Sequence, residues 1–70
     1  MKVNFIDIHS HYSENEINTI NLDNVPRIGD GVNLPDERYD DYFNGIVINV
    51  LWVIQKDNSN EVNICMERVK

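Results

Sequence analysis

The sequence predicts an all-β fold, a small five-stranded antiparallel barrel or sandwich, and three observations carry that expectation. The first is Gly45 to Ile54, the longest apolar run of the chain and its richest in β-branched residues, which marks a long strand. The second is the alternation over Glu61 to Val69, with Val62, Ile64 and Met66 on one face and Glu61, Asn63, Cys65 and Glu67 on the other. The third is the lack of a convincing amphipathic helical period between closely spaced turn signals.

Taken in order, Lys2 to about Tyr12 forms the first strand, since Val3 and Phe5 alternate with Asn4 and the series runs on through Ile6, Ile8 and Tyr12. Ser13-Glu14-Asn15-Glu16 breaks it, and Ile17 to Leu22 resumes, so the two read as a hairpin. A helix over Glu14 to Leu22 is the weaker reading because three Asn and one Thr fall within it. Asp23-Asn24 ends the hairpin. Pro26 then pushes Val25 to extended geometry, and Gly29 and Gly31 flank Asp30 in a tight corner that feeds a short strand at Val32 to Leu34. Pro35 to Tyr42 is an acidic loop holding Asp36, Glu37, Asp40 and Asp41. The long strand follows to about Lys56. In it Ile46, Ile48, Val50, Trp52 and Ile54 fall on one face, and Phe43, Val47, Leu51 and Val53 on the other, interrupted by Asn49. Asp57-Asn58-Ser59-Asn60 turns the chain into the last strand.

Seventy residues make one domain, residues 1–70, with a thin core. Small chains supplement such a core with disulfides, metal or oligomerisation. Cys65 is alone, which leaves no internal disulfide, and one Cys with two His falls short of a closed zinc site. A homo-oligomer is therefore expected, with the Phe43, Val47, Leu51 and Val53 face including the subunit contact. The N-terminus lacks a signal-peptide pattern and the central run is too short to span a bilayer as a helix, so the expected location is cytoplasmic with no membrane contact. Twelve acidic residues against six basic ones give a net charge of −6. That balance argues against direct DNA or RNA binding, which rests on Lys and Arg at phosphates.

Asp7-Ile8-His9-Ser10-His11 resembles the Asp-x-His-x-His strand end that supplies metal ligands in the polymerase and histidinol phosphatase family of phosphoesterases and in amidohydrolases. The resemblance would make His9 and His11 ligands and the chain a fragment of a metal-dependent phosphoesterase. Those enzymes draw further His and carboxylate ligands from later strands, and this chain has no third His. We read the match as coincidental, with two exposed hairpin histidines, no metal site, no cofactor and no catalytic residue. The acidic loop does not carry the ligand order of an EF-hand, and Cys65 reads as packing.

Arg27 stands out among the basic residues. It sits on the Val25-Pro26-Arg27-Ile28-Gly29-Asp30 corner, where the backbone N–H groups of Ile28 to Gly31 would join its guanidinium around a phosphate or carboxylate; an ion pair with Asp23, Asp30 or a carboxylate of a neighbouring strand is the plainer reading. Among the aromatics, Trp52 reads as core or subunit contact, and Tyr39, between charges, as a surface group able to stack on a base.

The Gly-Asp pair before a Val-x-Leu strand resembles the entry corner of small SH3-like barrels. The layout, an N-terminal hairpin, a Val-Pro-Arg-x-Gly-Asp corner and two final strands, resembles short uncharacterised proteins of bacteria and their phages. No constellation in the sequence supports an enzyme, so a non-enzymatic binding protein is expected, and the resemblance implies an inhibitor of bacterial defence acting in the host cytoplasm. In its first form it sequesters a nucleotide second messenger within an oligomer, with Arg27, Gly29, Asp30 and Tyr39 as the ligand-binding residues. The alternative is an acidic interaction protein whose Asp36, Glu37, Asp40 and Asp41 mimic nucleic acid and block a basic host protein.

Overall fold

The structure is a computed structural model that describes residues 1–10 and 14–69. Five strands make one sheet: β1 (Lys2–Asp7), β2 (Glu16–Asn21), β3 (Gly31–Asp36), β4 (Asp41–Ile54) and β5 (Asn60–Arg68), in the order β2-β1-β5-β4-β3. The all-β, barrel-like expectation holds. The expected antiparallel pairing does not hold throughout, because β1 and β5 run parallel at the centre of the sheet. Both are strongly alternating strands whose inward residues match in register, Val3 with Val62 and Phe5 with Ile64, and the rest of the chain is long enough to supply the crossover that a parallel pair requires.

The sheet curls around a single core made by Val3, Phe5, Ile17, Leu34, Phe43, Val47, Val62, Ile64 and Met66. At one end its two edges approach. Asn18 Nδ2 donates to the Pro35 carbonyl at 3.0 Å, and the Glu37 N–H donates to the Ile17 carbonyl at 2.9 Å. Pro35, which has no N–H, is tolerated because β3 is an edge strand.

Several boundaries differ from the sequence reading. The first strand stops at Asp7, where the Ser10 N–H folds back on the Asp7 carbonyl; the expected continuation to Tyr12, with His11 and Ser13, lies outside the described residues. Glu16–Asn21 is a strand, as the hairpin reading required. β3 extends through Asp36 and β4 begins at Asp41, so the acidic loop shrinks to a tight turn.

The faces of β4 also need correction. A bulge between Val47 and Asn49 inserts Ile48 as an extra residue opposite β5, and one extra residue reverses the inward parity beyond it. Phe43 and Val47 therefore point into the core, 0% and 1% exposed, whereas Leu51, 55% exposed, lies on the convex face. The single face proposed for subunit contact is thus split between the two sides of the sheet. Beyond the bulge the inward residues are Val50 and Trp52, paired with Ile64 and Val62 of β5.

The convex side is polar over β1, β2 and β5. Asn4 Nδ2 donates to Glu61 Oε1 and Asn63 Oδ1, both at 2.9 Å, and Thr19 Oγ1 donates to Asn4 Oδ1 at 2.9 Å. Over β4 it adds exposed apolar side chains, Ile46 and Leu51, beside Asn44 and Asn49.

Candidate functional site

Among the described residues, candidate functional side chains gather at each end of β3. The first is a buried ion cluster at the closed end of the curl. Arg38, in the β3–β4 turn, donates from Nε to Asp36 Oδ1 at 2.9 Å and from Nη2 to Asp36 Oδ2 at 2.8 Å. Its Nη1 reaches Asp7 Oδ2 at 3.2 Å, Ser10 Oγ at 3.0 Å and the Glu14 carbonyl at 2.8 Å. The guanidinium also lies 5.3 Å from the Tyr39 ring centroid. Hydrogen bonds from Arg38, outweighing the opposing effect of burial, hold the Asp36 carboxyl below the usual carboxylate range, and Asp36 in turn raises Arg38 further above its ordinary value. Among the described residues no buried side-chain nitrogen or oxygen lacks a hydrogen-bond partner, so the cluster reads as a fastener rather than a reacting centre.

That fastener accounts for two residues given other roles by the sequence. Asp7, the acidic member of the Asp-x-His-x-His resemblance, is bound to Arg38 and accepts the His9 N–H at 3.1 Å. His9 Nε2 lies 3.2 Å from Glu67 Oε2 on the exposed surface, and His11 is outside the described residues. Among the described residues no group of His, Cys, Asp and Glu is arranged to hold a metal. Asp36, expected on an acidic surface, is buried with a side-chain exposure of 2%, leaving Glu37, Asp40 and Asp41 exposed around it.

The second place is an open groove of about 480 Å³ lined by Val25, Pro26, Arg27, Ile28, Val50 and Trp52. Its floor is the part of β4 beyond the bulge, and its wall is the segment leading into β3. The wall is tied to the floor strand at one point. Gly29 takes φ 94°, open to glycine at little cost, and its N–H donates to the Val47 carbonyl at 2.8 Å, while the Val47 N–H returns a bond to the Asp30 carbonyl at 2.9 Å. The Asp30 N–H closes a tight turn onto the Arg27 carbonyl at 3.0 Å, and Asp30 Oδ2 accepts the Arg27 N–H at 2.9 Å.

These bonds redraw the predicted ligand set. The amides of Gly29 and Asp30 already have partners, so half of the four-amide phosphate nest read from the sequence is occupied. The carboxylate of Asp30 faces its own corner. Among the described residues the Arg27 guanidinium makes no ion pair, and the residue is exposed on the groove. Tyr39, 58% exposed, lies in the turn after β3 whereas Arg27 precedes β3; a strand of that length spans roughly 17–20 Å. The structure therefore does not bring Arg27 and Tyr39 together within one chain. The aromatic beside Arg27 is instead Trp52, 50% exposed. The sequence reading kept Trp52 for the core or a subunit contact, because no local pattern shows that β4 runs on past β3 and leaves the indole half exposed.

No protein-family profile, curated protein or solved structure matches the chain.

Proposed function

We propose that the protein is a non-enzymatic binding module whose ligand seats in the Arg27–Trp52 groove, and that the ligand is a nucleotide. The observation that carries this reading is the half-exposed Trp52 on the groove floor beside the exposed Arg27. An indole face stacks on a base of any identity, and a guanidinium recognises phosphate with a planar fork of donors. The groove volume falls within the range of small-molecule sites. The curl of the sheet and the Gly-Asp corner support an SH3-like reading, with the parallel β1–β5 pair as its departure from an antiparallel barrel. The resemblance to short phage-encoded proteins gives the biological setting: sequestration of a nucleotide signal as an inhibitor of bacterial defence in the host cytoplasm.

The net charge of −6 and the exposed Glu37, Asp40 and Asp41 favour the second reading, an acidic surface that occupies a basic protein. Isothermal calorimetry against cyclic and linear nucleotides separates the two. The first reading predicts saturable binding that Arg27→Ala abolishes. Indifference to nucleotides, together with strongly salt-dependent binding to a basic protein, would favour the second instead.

A further inference from the structure

The same half of β4 that floors the groove has an open backbone edge. β3 covers β4 only from Asp41 to Ile46, and β5 covers it from Gly45 to Ile54. The Gln55 N–H donates to the Ser59 carbonyl at 3.0 Å, which sets the phase of the ladder. In an antiparallel pair, residues alternate between bonding the neighbour and turning their N–H and C=O away from it. Asn49, Leu51 and Val53 therefore bond β5, and Val50, Trp52 and Ile54 direct their backbone groups to the open edge. Val50 is already capped, since its N–H donates to Asn49 Oδ1 at 3.0 Å. Among the described residues no backbone partner meets the N–H of Trp52 or Ile54.

Edge strands are ordinarily guarded by charge, proline or a covering element. No charged residue lies between Asp41 and Lys56, and this edge is flanked by apolar side chains on both faces, Trp52 and Ile54 on one and Leu51 and Val53 on the other. Ile54 is 75% and Leu51 55% exposed. An occupant must be an extended strand that is apolar on both faces and presents two backbone pairs in the same phase. β4 itself meets each of those requirements.

We propose that two copies of the chain pair edge to edge through β4, antiparallel, about a two-fold axis at Val53. In this register Trp52 of each copy exchanges both backbone bonds with Ile54 of the other, so the open donors are matched and the capped Val50 N–H is left undisturbed. Trp52 packs beside Ile54 of the second copy on the concave face, and Val53 meets Val53 on the convex face. No like charges oppose one another. The two sheets become one continuous sheet, and the pairing stands on the open edge alone, independent of what the groove binds.

Sedimentation velocity at micromolar concentrations, with cysteine cross-linking, tests both the dimer and its register. The expected result is a species of twice the 8.2 kDa chain mass that Ile54→Lys converts to monomer with an unchanged circular dichroism spectrum. In a Cys65→Ser background, Val53→Cys should cross-link under mild oxidation, because a directly opposed, non-hydrogen-bonded pair brings the Cα atoms to disulfide distance. Leu51→Cys, opposite Gln55 of the second copy, should not. A monomeric wild type overturns the proposal. So does a dimer that ignores Ile54→Lys and fails to cross-link through Val53→Cys, or a monomer whose β4 edge takes up a strand from a different protein.

Discussion

Arg38 grips Asp36 in a two-pronged fork, with Nε and Nη2 on its two carboxylate oxygens at 2.9 and 2.8 Å, while the same guanidinium holds Asp7 from the other side of the sheet at 3.2 Å. One side chain thereby joins the β3–β4 turn to the end of β1 and closes the curl where β2 and β3 approach. The division of labour follows from the positions. The charged cluster secures one end of the barrel-like sheet, and the β4 edge beyond the bulge is left open.

Arg38→Met should be among the most damaging substitutions in the chain. It leaves Asp36 and Asp7 buried without a counter-ion, a change that costs about 3–5 kcal/mol when one partner of a buried pair is removed. In a domain of this size that is a large share of the whole stability. Urea denaturation should show a much lower midpoint than wild type, and Arg38→Lys, unable to span both carboxylates with a fork, should recover only part of it.

Acid should weaken the fold through the same pair. The Asp36 carboxyl lies below its ordinary value when folded, first because of its hydrogen bond with Arg38. The unfolded chain therefore binds its proton at higher pH than the native state does. The stabilisation is complete above the unfolded value of about 3.9 and is lost as pH falls through the lower native value. Urea midpoints measured from neutral pH downward should fall most steeply below about pH 4. Asp36→Asn should be less stable at neutral pH and show a flatter acid limb; an unchanged acid limb would remove Asp36 from this role.

Gly45→Ala tests the close approach of β4 to β5. A Cβ at this position would stand 2.6 Å from the Glu67 carbonyl oxygen, a backbone atom of β5, and 2.6 Å from Cε1 of the fully buried Phe43 ring. Overpacking of this kind costs roughly 1–3 kcal/mol, which a thermal melt should register as a drop of several degrees in Tm.

The strands were largely legible because their patterns are local. The alternation of Val62, Ile64 and Met66 places all three in the core, as expected, and the turn residues Asp57, Asn58 and Ser59 separate β4 from β5. What escaped was long-range or off-period. The parallel β1–β5 pairing joins residues at opposite ends of the chain. Ile48 reverses the inward parity of β4 with no Gly or Pro to announce the bulge, and so parts Leu51 and Val53 from Phe43 and Val47. Arg38 and Asp36 are two residues apart in an acidic stretch that looks solvated; only the curl of the sheet, bringing Asp7 alongside, shows that they are inside.

Trp52 is the chain's single tryptophan, so intrinsic fluorescence reports from the groove floor itself. Titrating the protein with cyclic and linear nucleotides while following that emission is the most direct test of the binding reading. A saturable change for at least one nucleotide, absent in Arg27→Ala, is the predicted result. Emission that stays constant across all of them would contradict it.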